Sequence, residues 1–134
     1  MQQQTDNFSK FGKSFQEKLC QLMLQDRPFC DQITEVLDIE FLETKYLQVF
    51  VNVILDYRQR YGVHPSYEIL ATIFKSGITE YDAAVQKQVR DYYTRIISSS
   101  MVDGAEFVKD TAMDFCRKQV LKQAMMKSVG LLKS

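Results

Sequence analysis

One histidine, three cysteines and a few closely spaced carboxylates are the groups of this 134-residue chain with catalytic or metal-binding chemistry. His64 lies between Val63 and Pro65. A catalytic imidazole needs an oriented nucleophile or acid beside it, and no neighbour supplies one. Local packing or capping is the expected use. Cys20, Cys30 and Cys116 form no C-x-x-C pair, and one histidine cannot complete a zinc set with them. They read as three reduced core thiols of a cytoplasmic protein. Glu35/Asp38 and Glu40/Glu43 have the spacing of paired carboxylates but no histidine near them, so exposure is expected. Gly12-Lys13-Ser14 imitates the end of a phosphate-binding loop, G-x-x-x-x-G-K-[ST]. The first glycine should stand at position 7, which is Asn7, and no strand precedes it. Asn7-Phe8-Ser9 matches a glycosylation sequon, which means little because the N-terminus lacks the basic and apolar regions of a secretory leader. No catalytic, cofactor-binding or metal-binding residue is expected.

The elements around these residues are helical. Five glycines and two prolines leave room for few turns. Residues 1–13 read as a flexible polar leader. Ser14 to Glu17 has the capping-box pattern, and Phe15, Leu19, Leu22 and Met23 then fall on one helical face. Asp26-Arg27-Pro28 ends that helix and begins a short one carrying Ile33, Val36 and Leu37. Thr44 is the expected cap of a third helix running to Tyr61 and closed by Gly62. Its apolar stripe is too broad for a surface helix, so it should be central. Ser66 caps a fourth helix stopped by Ser76-Gly77. Thr79 to Asp82 repeats the capping-box pattern before Val85, Val89, Tyr92, Tyr93, Ile96 and Ile97. Ser98-Ser99-Ser100 weakens that helix, and Asp103 to Glu106 opens a last one reaching about Gly130. Two long helices joined by a short turn predict a hairpin. The expected fold is all-α: a small helical bundle at 14–77, a long C-terminal helical hairpin at 78–130 within the same domain, and the start of a linker at 131–134.

Lys plus Arg and Asp plus Glu both number 17, so the net charge is zero. Such a chain has no general attraction to nucleic acid or acidic membranes, which favours a protein-facing module. No apolar run approaches the roughly 20 residues of a membrane span. Residues 26–56 hold seven acidic side chains against two basic, whereas 107–134 hold six basic against two acidic. Arg58, Arg60 and Tyr61, and again Arg90, Tyr92, Tyr93 and Arg95, interleave cations with aromatics as nucleic-acid surfaces do. Asp91 interrupts the second group, and its tyrosines also fit the hairpin stripe, so structural or interface use is preferred. Met125-Met126 and Leu131-Leu132 add adaptable apolar surface near the C-terminus. The residues alone describe a helical, non-catalytic interaction domain.

The order of segments resembles the N-terminal domain of DnaB-type replicative DNA helicases, particularly the phage versions. The resemblance spans about residues 12–130. It begins at Phe15-Gln16-Glu17-Lys18-Leu19-Cys20-Gln21-Leu22-Met23 and continues through Asp38-Ile39-Glu40-Phe41-Leu42-Glu43, where the family commonly buries a phenylalanine. Tyr46-Leu47-Gln48-Val49-Phe50 and the turn Tyr61-Gly62-Val63-His64-Pro65 follow, with the helix from Ser66 to Phe74. The run from Phe107 to Gln119 closes it. The first helix departs from the bacterial pattern, which places small residues around Val-Leu-Gly, at Cys20-Gln21-Leu22-Met23. The resemblance implies a collar in which hairpins pair and six copies assemble, with a docking surface for primase or a loader. It places ATP and Mg²⁺ in a following RecA-like motor domain, so no cofactor is expected in this chain. It implies DNA contact through the full assembly, no membrane partner, and location in the cytoplasm, the host's if the gene is a phage's. Tyr92, Tyr93, Ile96, Ile97, Phe107, Phe115 and Met125 are the expected core or inter-subunit contacts. Arg117, Lys118 and Lys122 are the candidate DNA- or motor-facing cations. The alternatives from related classes are the helicase-binding domain of a primase and a freestanding helicase loader or adaptor.

Overall fold

The computed structural model describes residues 6–99 and 101–133, all of them helix, turn or coil with no strand. Parts of the expected leader, serine run and linker fall on residues 1–5, Ser100 and Ser134, outside the described residues. Six α-helices follow a short 3-10 turn at Phe8–Phe11: α1 Lys13–Gln25, α2 Arg27–Ile33, α3 Lys45–Tyr61, α4 Tyr67–Ser76, α5 Ala83–Ile97 and α6 Ala105–Lys133. A second 3-10 turn, Ile39–Phe41, lies between α2 and α3.

Several boundaries follow from side-chain chemistry that the sequence displays. The Asp26 carboxylate accepts from the Phe29 amide at 3.1 Å and Pro28 sits in the first turn of α2. Ser66 Oγ accepts from the Ile69 amide at 3.2 Å to begin α4. Gly62 closes α3 at φ 72°, a left-handed conformation that costs glycine nothing, and its amide donates to the Arg58 carbonyl.

Two expected capping boxes do not form. α1 begins two residues earlier, at Lys13 after Gly12 with φ 90°, and Ser14 is exposed inside its first turn. The reason is upstream. Asn7 caps the 3-10 turn by accepting from the Ser9 amide, and this turn drives Phe8 fully into the core. Residues 6–13 are therefore a built part of the fold rather than a loose leader. Ahead of α5, Thr79 and Glu80 belong to a turn, and Asp82 is the cap, accepting from the Val85 amide at 2.9 Å. A carboxylate three residues nearer the apolar stripe wins over the threonine.

The core has two inner helices instead of one. α3 buries Tyr46, Leu47, Val49, Phe50, Val51 and Ile54, as its stripe predicts. α1 is as enclosed, because it lies between α3 and α6 and buries every residue from Leu19 to Leu24. α5 packs on α3 and α4, and α6 packs on α1 and α2. The arms of the expected hairpin thus each turn their apolar face to the bundle. Phe8, Phe15, Phe41 and Phe115 form one edge-and-tilt aromatic cluster, with Phe8 and Phe115 centroids 4.9 Å apart. Aromatic pairs of this geometry add about 0.5–1.5 kcal/mol beyond burial.

α6 outruns the body. Its first half buries Val108, Ala112, Met113, Phe115 and Cys116, while Val120, Leu121, Met125, Met126 and Val129 are exposed. The helix persists because residues 117–126 are almost all strong helix formers. Gly130 does not end it, and α6 runs on to Lys133. A helix of 29 residues is about 43 Å long at 1.5 Å per residue.

Candidate interaction surfaces

Most of the polar side chains that attract notice in the sequence are used inside the molecule. Glu17 of α1 accepts from Tyr46 of α3 at 2.5 Å and from both terminal guanidinium nitrogens of Arg95 of α5, at 3.0 and 3.2 Å. Partial burial pulls its pKa up, but these hydrogen bonds and the Arg95 charge prevail and hold it below the ordinary range. Tyr92 donates to the Glu17 carbonyl at 2.5 Å, and Tyr93 donates to the Tyr67 carbonyl at 2.5 Å. Burial pushes the Tyr93 hydroxyl up to about 12 and Tyr92 well above its ordinary value, so both act as fixed donors.

His64 is a three-way brace. The Leu24 carbonyl can only accept, so Nε2 carries the proton and donates to it at 2.7 Å. Nδ1 then accepts from Arg58 at 2.7 Å. Arg58 also pairs with Asp31 of α2. The end of α1, α2, α3 and the turn before α4 are joined through one ring. Partial burial lowers the His64 pKa, the Leu24 bond partly opposes this, and the Arg58 charge adds to the lowering.

The cations of both groups have partners within the chain, and the tyrosines of the second are buried, while Tyr61 of the first stays exposed. Arg60 pairs with Asp56 on α3, and Arg90 donates to the Phe74 and Lys75 carbonyls, closing the end of α4. Tyr92 and Tyr93 are in the core. The second group presents no aromatic face, and the cations beside Tyr61 in the first are ion-paired, whereas stacking on bases needs both together.

The expected contact residues divide. Tyr92, Tyr93, Ile96 and Phe115 are no more than 5% exposed and serve the chain's own core, whereas Ile97, Phe107 and Met125 are 50%, 67% and 61% exposed. Among the candidate cations, Arg117 is exposed, Lys118 pairs with Asp114 and Lys122 with Asp6. Burial pushes Cys116 up to about 12 and raises Cys20 and Cys30 also, so all three free thiols are inert packing groups. Glu35, Asp38, Glu40 and Glu43 are exposed as expected. No group of three or more His, Cys, Asp or Glu side chains among the described residues is arranged to hold a metal ion. No helix among them is long and apolar enough to cross a membrane.

One concave surface was not foreseen. Tyr57 and Tyr61, one turn apart on α3 with ring centroids 4.6 Å apart, form with Ile73 of α4 a ridge between two open hollows. One, about 520 Å³, continues over Val53 to Tyr81 and Glu80; the other, about 430 Å³, runs over Ile69 to Glu68. Tyr57 and Tyr61 stand at helical spacing in the sequence, but the neighbouring arginines draw the eye away from them. Gln16 and Gln21 were also unforeseen as buried groups: Gln16 ties α1 to Glu43 through both amide atoms, and Gln21 donates to the Ser99 carbonyl.

Compared with known proteins, the chain matches no family model, no curated protein and no solved structure.

Proposed function

We propose that this chain is the N-terminal collar domain of a DnaB-type replicative DNA helicase, phage-like, acting in the cytoplasm of the host cell. Its work is assembly and recruitment: it holds subunits together and offers primase or a helicase loader a surface to dock on. It performs no chemistry itself, and ATP and Mg²⁺ act in a motor domain that follows it. DNA is held by the full assembly rather than by these helices. The order of segments that resembles the family supports this reading. The observation that carries it is α6, whose second half leaves the body with five large apolar side chains exposed. A bare apolar surface of this kind marks a contact with another protein.

Light scattering across a concentration series tests the proposal. The chain is expected to associate as its concentration rises, and Met125→Glu is expected to weaken that association without loss of helical circular dichroism. A monomer at every concentration, or ATP hydrolysis by this chain alone, overturns it.

A further inference from the structure

The exposed half of α6 and the hollows beside Tyr57 and Tyr61 are two apolar surfaces with no partner among the described residues, and they differ in charge. Residues 115–130 contain four cations and no carboxylate. Lys118 and Lys122 are paired within the chain, while Arg117 and Lys127 enter no ion pair among the described residues. The hollows carry Glu68 and Glu80, which likewise enter no ion pair there, and Asp56, already neutralised by Arg60. Lys45 lies over the outer Tyr81 ring, 5.8 Å from its centroid. The same chain therefore displays a basic apolar helix and an aromatic ridge with one unpaired carboxylate in the hollow on each side. No residue of α6 lines the hollows, so the tail does not occupy its own.

We propose that the exposed half of α6 docks across the Tyr57–Tyr61 ridge, into the hollows beside it, on a second copy of this chain. Leu121, Met125 and Val129 recur every four residues, the spacing with which a helix fills a groove. Methionine suits an irregular floor of tyrosine and isoleucine because its side chain adapts. Arg117, Lys118 and Lys122 lie on or beside this stripe at 3.6 residues per turn and then face Glu68 and Glu80. Tail and hollow are different surfaces, so the contact is head-to-tail and each copy uses both. Such a contact closes into a ring when its rotation permits. The inference rests on the self-association proposed above and names the two surfaces that make it.

Two double variants, each altered only at exposed positions, test it by sedimentation. The hollow variant carries Tyr61→Lys and Glu68→Lys; the tail variant carries Leu121→Glu and Met125→Glu. Each alone is expected to associate at least tenfold more weakly than the unaltered chain. Mixed in equal amounts they are expected to form a one-to-one dimer of nearly unaltered affinity, because one hollow and one tail remain intact. That dimer should grow no further. A hollow variant that assembles like the unaltered chain overturns this inference and leaves self-association standing. An unaltered chain that never associates overturns both. Carbodiimide cross-linking of unaltered light and heavy-isotope chains provides a measurement independent of the variants' folding. Cross-links between copies from Glu68 or Glu80 to α6 lysines are expected, and associated chains cross-linked only elsewhere count against the contact.

Discussion

Phe115 and Met125 lie ten residues apart on one uninterrupted helix, in stretches of similar composition. Around Phe115, α6 crosses α1 and α2 and its side chains complete the aromatic cluster, whereas Met125 is 61% exposed. The difference lies in what faces each turn and not in the turns themselves. Helix propensity continues α6 past the body, and packing stops where α1 and α2 stop. Apolar content along a helix therefore marks burial only as far as neighbours extend, and beyond that point it marks a surface to be covered.

The widest gap between the two stretches should appear in stability. Phe115→Ala is expected to cost about 3–5 kcal/mol, as truncation of a packed aromatic does, whereas Met125→Ala should stay within about 0.5 kcal/mol. Urea denaturation midpoints check both, and similar losses at the two positions would erase the comparison. A smaller effect is expected at Tyr92→Phe, which keeps the ring but removes the hydroxyl that donates to the Glu17 carbonyl. The cost should be about 1–2 kcal/mol, read from the same curves. Asp26→Ala should cost about 1 kcal/mol through loss of the α2 cap. Asp26 also accepts from Lys109 of α6 at 2.8 Å. That hydrogen bond is the chief reason its pKa is depressed. Its contribution is thus present above the ordinary carboxylate range and lost as pH falls through the lowered value.

The smallest effect is the pH response of the His64 brace. Its pKa is depressed in the folded chain, so the unfolded chain takes up the proton first. Stability from this group is present above pH about 6.5, the ordinary value, and is lost as pH falls through the folded pKa. Denaturation midpoints at pH 7.5 and 5.5 are expected to differ for the unaltered chain and to converge in His64→Gln. A midpoint that rises on acidification would contradict the brace.

Much of the fold was legible in the sequence because local chemistry decided it. Asp26 before Pro28, Ser66 before its stripe and Gly62 after Tyr61 each act within four residues, and the α3 stripe announces its own burial. What escaped the sequence depends on long-range packing. Phe8 is buried because Phe115, more than a hundred residues later, waits for it, and this pulls the start of α1 back to Gly12. Tyr92, Tyr93, Ile96 and Phe115 are as apolar as any contact surface, and only the position of α1, α3 and α4 assigns them to the core. The Tyr57–Tyr61 hollow needs α4 alongside α3 before it exists.

The exposed end of α6 also has a mechanical consequence. From Arg117 to Gly130 it extends about 21 Å beyond its last buried turn at 1.5 Å per residue. A sideways load at that end meets the exposed Lys122–Asp6 pair and then acts on the body with this length as its lever arm. The fulcrum is Phe115 and Cys116, and the load passes into Phe8, Phe15 and Phe41 before it reaches α5. Whatever pulls on the tail strains the aromatic cluster first, and the Glu17, Tyr46 and Arg95 brace lies behind it.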